Sequence, residues 1–461
     1  MVPVLAIVLS VYLLVLLVVA LLVNRRVKTE EDYIVAGRRL PMSLAAATLF
    51  ATWFGAGTLL TATDEISSSG LPATALEPYG AGLCLVLAGV ALARRLWSME
   101  LLTVSDVFLR FGPRAEALSV VLTVPGYVGW LAVQLVALAG TLHVVLGIPI
   151  ALGIVGVAAI SLLYTLLGGM WSVTVTDAIQ MVLIVIGVLW LGHEVFATLG
   201  HGDLGAGLEV LWARAPERAL TLVPRESLGE LTRWLSVLLV SMLGNLPSQE
   251  LAQRIMAARS ADTARRACIL AGVLYVGLGT VPALVGVAAP LLLPAGQHQA
   301  VLQALALKLL SPALVVLFVI SIVSVVLSTL TSGLLAPATT LAHNLVRHYV
   351  PPRVSTLAIC RGCVVLVLVC SIGVAMWGAD AYEILEASYA IGLVGMFVPF
   401  VAGIYGVQAS DRAAVLSMLA GMGVWSLELV VDTEWPMTLL AVLACGVVFG
   451  LVRALERRAT A

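Results

Sequence analysis

Between Val325 and Gly333 the chain carries Ser328, Thr329, Thr331 and Ser332, four hydroxyls within five residues of an otherwise apolar stretch. A hard cation such as sodium prefers uncharged or anionic oxygens, and hydroxyls beside free carbonyls supply them without burying a full charge. A source of free carbonyls lies at Phe50-Ala51-Thr52-Trp53-Phe54-Gly55-Ala56-Gly57-Thr58, where glycines, small residues and an indole stand in place of continuous aliphatic helix. A helix interrupted at membrane depth frees backbone groups that lipid cannot satisfy, so such a break survives only where it lines an enclosed cavity. Ser328 and Thr329 could be joined there by the carbonyls of Val325, Ala51 and Phe54. The competing reading is that the hydroxyls bond back to the carbonyl one turn earlier or pack helices together.

A second passage, Leu163 to Gln180, places a Gly168-Gly169 turn before a helix whose first turns carry Thr176, Asp177 and Gln180. An ionisable group inside a membrane helix is expensive and functional by default, but Asp177 so near the helix start could equally cap it or be solvated. Glu77-Pro78 offers either a carboxylate to a cationic solute or a residue at the outer mouth. Little else resembles catalysis. The six histidines, His143, His193, His201, His298, His343 and His348, form no triad or metal motif, and no Gly-rich phosphate loop is present, which argues against an ATP-driven pump. Cys360-Arg-Gly-Cys363 has a metal-like spacing without a second pair, so it reads as two inert helix cysteines.

The elements that must position these residues are membrane helices. The 461 residues are 61% hydrophobic and 11% charged, with a mean hydropathy of +1.08, which a water-soluble domain of this length would not tolerate. Thirteen spans are expected, at about 3–23, 41–63, 76–95, 117–142, 148–167, 174–197, 231–253, 268–294, 312–342, 355–377, 384–407, 413–430 and 436–453. Stretches such as 150–160 run apolar on all sides and exclude an alternating outer-membrane barrel. The longest extramembrane stretch, about 198–230, is a lid or a spacer.

Basic residues fix the expected orientation. Arg25, Arg26, Lys28, Arg38 and Arg39 follow span 1, Arg94, Arg95, Arg110 and Arg114 follow span 3, and Arg254, Arg259, Arg265 and Arg266 follow span 7. Arg347, Arg353, Arg361, Arg412, Arg453, Arg457 and Arg458 fall on the same side. That side is then cytoplasmic, with the amino terminus outside and the carboxyl terminus inside. Residues 1–23 lack a basic leader and a small-residue cleavage site and read as an uncleaved anchor in the plasma membrane.

The break FATWFGAGT, the block LYTLLGGMWSVTVTDAIQ, the segment from Pro247 to Arg259 and the run LSTLTSGLLAPATTLAHNL together resemble the sodium:solute symporter family, in order over spans 2 to 10. The resemblance implies an all-α, leucine-transporter-like fold of two inverted five-helix repeats, residues 41–197 and 231–407, preceded by one helix and followed by two at 408–461. An interruption at Gly244-Asn245-Leu246-Pro247 in span 7 supports it, because paired breaks mark a midplane binding site. The family's sodium site maps onto Ala51 and Phe54 carbonyls, the Val325 carbonyl, and Ser328 and Thr329. A second sodium, carried by some members, maps onto Ser328, Thr331, Ser332 and Asp177, the last also lying on the ion's exit.

For the solute the chain is most similar to the choline transporter branch. Choline's quaternary head is held by aromatic faces, each cation-π contact contributing up to ~2 kcal/mol when desolvated. Trp53 and Trp130 match the branch's cage positions, and Tyr79 lies near a third. Ser248 stands where the branch has a tryptophan, which leaves room for a polar or larger solute. Gly55, Asn245, Ser248 and Gln249 complete the expected solute contacts at the two breaks. The resemblance thus implies sodium-coupled symport of choline or a related amine, with proline, a monocarboxylate, pantothenate or a sugar as other solutes. A transporter-fold sensor, which would need a cytoplasmic signalling tail, is the remaining alternative.

Overall fold

The computed structural model describes residues 2–24, 29–378, 380–430 and 436–460. Arg25, Arg26 and Lys28, part of the orientation argument, lie outside them. Every described regular element is helical, with one isolated bridge between Leu40 and Ala258. Among the described residues nine helices are long and apolar enough to cross a membrane, and a pair bent by 54°, Met42–Trp53 with Gly57–Ser69, makes a tenth. The other three expected spans are shorter: Ile150–Leu166, the interrupted pair Leu228–Gly244 and Gln249–Ala257, and Asp411–Ser426.

Local chemistry sets the helix starts. Span 7 is capped by Ser227, span 8 by Ser260, span 10 by Ser355, span 11 by Asp380 and span 12 by Ser410, each side chain accepting from a first-turn N–H. Span 9 (Pro312–Thr340) begins on proline, which has no N–H to leave unpaired. Spans 5 (Ile150–Leu166) and 6 (Gly169–Leu199) are separate helices that follow closely in the chain, parted at Gly169, whose φ of 60° and ψ of −175° lie outside the helical region and favour glycine.

The two broken helices meet near one end. Leu40, just before span 2, donates to the Ala257 carbonyl at 3.0 Å and accepts from Arg259 at 3.0 Å, just after span 7. Further along, Gly244 and Gly392 bring spans 7 and 11 into backbone contact, since a Cβ on Gly392 would lie 2.1 Å from the Gly244 carbonyl oxygen. Span 9 is almost wholly buried, whereas span 1 exposes Val4, Ile7, Val11 and Leu14 to the surroundings. The fold is the all-helical, discontinuous-helix bundle that the sequence implies.

Candidate functional site

Span 2 breaks in a tight turn: Phe54 has φ −75° and ψ 71°, and Gly55 donates to the Trp53 carbonyl at 2.8 Å, the geometry of an inverse γ-turn. Several of the backbone groups released there find partners inside the protein. Ala56 N–H donates to Gln134 Oε1 at 2.8 Å, and the Trp53 carbonyl accepts from Tyr275 at 3.1 Å. The Ala51 carbonyl lies 3.1 Å from Ser328 Oγ, and Thr329 Oγ1 lies 3.2 Å from the Thr52 carbonyl and 3.0 Å from that of Val325. Ala51, Val325, Ser328 and Thr329 are therefore brought together. Of the carbonyls at the break, the one within hydrogen-bond distance of Thr329 Oγ1 among the described residues is that of Thr52, where Phe54 was expected. Gly55 is tucked behind, where a Cβ would lie 2.9 Å from Thr329 Oγ1 and 3.1 Å from Gln134 Oε1.

Asp177 is fully buried inside the helix Gly169–Leu199, and neither caps it nor meets solvent. Its Oδ1 accepts from Ser328 at 2.6 Å, and its Oδ2 from Thr48 at 2.5 Å and Thr52 at 3.4 Å. Nearby is Arg254, grouped by sequence with the cytoplasmic charges but only 1% exposed. Its guanidinium donates to Ser332 Oγ at 2.7 Å, the Glu250 carbonyl at 3.0 Å and the Thr48 carbonyl at 3.4 Å, and lies 3.9 Å from Asp177 Oδ2. This corrects the surface reading of Arg254: the half-helix after the break turns it inward, where a buried cation needs an anion and acceptors. Ser332 also meets Thr52 Oγ1 at 3.1 Å. Thr331 faces elsewhere, bonding back to Leu327 and Ser328 carbonyls and lining a small gap with Tyr164, Thr176 and Gln180.

A cavity lies between the two breaks. Trp53, Trp130, Asn245 and Ser248 line it, as the sequence suggests, together with Tyr127, Glu250 and Tyr389. Trp130 and Tyr127 sit edge to face at 5.9 Å. Tyr127 Oη accepts from the N–H groups of Gln249 and Glu250 at 2.9 and 3.1 Å, closing the second break. Behind the cavity Glu77 is 1% exposed: Oε1 accepts from Tyr389 at 2.9 Å, and Oε2 from Tyr275 at 2.5 Å and Thr58 at 3.1 Å. Glu77 is thus deep, and not at an outer mouth.

Three expected solute contacts do not line the cavity: Gly55, tucked behind the break, Tyr79 and Gln249. Tyr79 points to Thr280 at 3.3 Å, outside the cavity, because it is the first residue of a helix beginning beyond Pro78. Gln249 is fully buried and its side chain holds backbone, accepting from Val104 N–H at 2.5 Å. Tyr127 was findable in the sequence, since it precedes Trp130 by three residues and shares its helix face. Tyr389 had no local signal. The loop after span 6 folds into Leu204–Arg214 and Glu217–Leu220, and its end walls a wide cavity with Arg218, Glu230, Arg233 and Tyr382.

Paired discontinuous helices around buried oxygens define the class of membrane transport proteins whose sites lie at helix breaks. The chain belongs to the sodium:solute symporter family, whose family model matches residues 33–421; it is not an enzyme. It is 30% identical over 250 residues to the high affinity choline transporter 1 of Homo sapiens, covering 52% of this chain and 41% of that one. The chain thus matches about two fifths of that relative's length. The sodium/glucose cotransporter of Vibrio parahaemolyticus is 23% identical over 449 residues, covering 90% and 82%. A Na+-coupled sialic acid symporter, solved substrate-bound and outward-open, superposes with a TM-score of 0.81 at 17% identity over 98% of this chain and 97% of that one, which shows a shared fold.

Proposed function

We propose that this protein is a sodium-coupled symporter that carries a small organic cation across the plasma membrane by alternating access, with choline as the leading solute. The observation that carries the reading is the meeting of Ser328 and Thr329 with the carbonyls of Ala51 and Thr52 at the break in span 2. Sodium there would tie span 9 to a broken helix that also bears Trp53, so ion and solute would favour the same arrangement, which is what coupling requires. Asp177, Ser328 and Ser332 are the groups for a second sodium or for its exit, with Arg254 as the resident cation beside them. The amino terminus lies outside and the carboxyl terminus in the cytoplasm.

The solute pocket supports a cation over the alternatives. Trp53, Tyr127, Trp130 and Tyr389 offer aromatic faces, and Glu250 adds a carboxylate where a monocarboxylate or zwitterion would meet like charge. Ser328→Ala with Thr329→Ala, reconstituted in proteoliposomes, should abolish sodium-driven uptake of labelled choline. Uptake with unchanged sodium dependence would refute the ion assignment, and no choline uptake by the unaltered protein would refute the solute.

A further inference from the structure

Three polar atoms on the pocket wall lack hydrogen-bond partners among the described residues: Glu250 Oε2, Trp53 Nε1 and Ser248 Oγ. Glu250 is the charged one, and it is 5% exposed. The other carboxylate near the pocket, Glu77, is already satisfied by Thr58, Tyr275 and Tyr389. Arg254 does not satisfy Glu250 either. It sits one turn along the same helix, but bonds the Glu250 carbonyl and turns its guanidinium to Ser332 and Asp177.

We propose that Glu250 is the substrate-facing carboxylate of this pocket and that it selects a monocation carrying a hydrogen-bond donor. The proposal rests on the cation reading of the pocket and adds a second requirement to it. Aromatic faces hold any ammonium, methylated or not, but they give nothing to an orphaned carboxylate oxygen. A quaternary ion without a donor neutralises Glu250 yet leaves that oxygen unpaired, whereas an N–H or O–H next to the charge meets both needs. A hydroxyl would also offer a lone pair to Trp53 Nε1–H. A carboxylate-bearing zwitterion would also offer an acceptor to Trp53 Nε1–H, but it would set a negative charge against Glu250.

Four probes separate these contributions: choline has an O–H, trimethylammonium an N–H, tetramethylammonium no donor, and glycine betaine a carboxylate. Binding to the full-length protein in nanodiscs with sodium should rank choline and trimethylammonium at least about tenfold tighter than tetramethylammonium, with betaine weakest. Glu250→Gln, which keeps an acceptor and removes the charge, should weaken all three cations about tenfold or more while preserving their order. Glu250→Ala should erase the order. A sodium-induced thermal shift retained in both variants reports an intact fold, and the comparison of probes on the unaltered protein needs no variant. Tetramethylammonium binding as tightly as choline, or folded variants with unchanged cation affinity, would overturn the Glu250 assignment alone. Preference for betaine, or no cation binding to the unaltered protein, would overturn the cation pocket as well.

Discussion

Replacing Arg254 with glutamine separates the two charges at the centre of the bundle. With 3.9 Å between Arg254 and Asp177 Oδ2, their attraction at an effective dielectric near 20 is about 4 kcal/mol. Removing one partner of such a buried pair costs roughly 3–5 kcal/mol, because the other charge stays buried without compensation. At roughly 2 cal/mol/K of unfolding entropy per residue, that corresponds to a melting temperature lower by about 4 °C in a chain of this length. Thermal unfolding in sodium-free buffer should show this drop for Arg254→Gln. A sodium titration should then stabilise the variant more than the unaltered protein, since Asp177 is released to a mobile cation, each tenfold rise above the dissociation constant adding about 1.4 kcal/mol. Combining Arg254→Gln with Asp177→Asn should recover most of the loss and abolish the extra sodium response. If the two single losses simply add in the double variant, or if Arg254→Gln responds to sodium as the unaltered protein does, the pair is not coupled and the reasoning fails.

Other perturbations test other parts of the site. Trp53→Ala should weaken choline binding roughly tenfold or more, read by equilibrium binding in sodium, as expected for the loss of one desolvated cation-π face. Tyr127→Phe removes the oxygen that accepts from Gln249 and Glu250 N–H, and should lower stability by about 1–3 kcal/mol in a denaturation assay. Gly392→Ala places a methyl 2.1 Å from the Gly244 carbonyl, so spans 7 and 11 must part by roughly 1 Å. Transport should fall in that variant while the sodium-induced thermal shift persists.

The fold was legible because its signals are local. Apolar runs mark the spans, and Gly55 and Pro247 mark breaks that the structure places at the same positions. Ser328 and Thr329 stood out for a similar reason, as part of four hydroxyls in one apolar stretch, although Thr331 there bonds back to the carbonyl one turn earlier. What escaped depends on contacts between distant segments. Arg254 looks like a cytoplasmic charge until the half-helix Gln249–Ala257 turns it toward Asp177, 77 positions earlier in the chain. Tyr389 and Glu77 meet across 312 positions, and nothing near either residue announces the other. Tyr79 misled because a position two residues from an expected aromatic was carried over without the helix start at Pro78 that redirects it.

The two hydrogen bonds that clasp Leu40 to Ala257 and Arg259 reach past the solute pocket. They yoke the starting end of one discontinuous helix to the finishing end of the other, so those half-helices cannot slide apart independently. The joints left to them are the interruptions at Phe54 and at Asn245 to Ser248, which are also the places where solute and ion would be held. Loading the site would therefore stiffen the hinges themselves, and the yoked halves would tilt as a single lever.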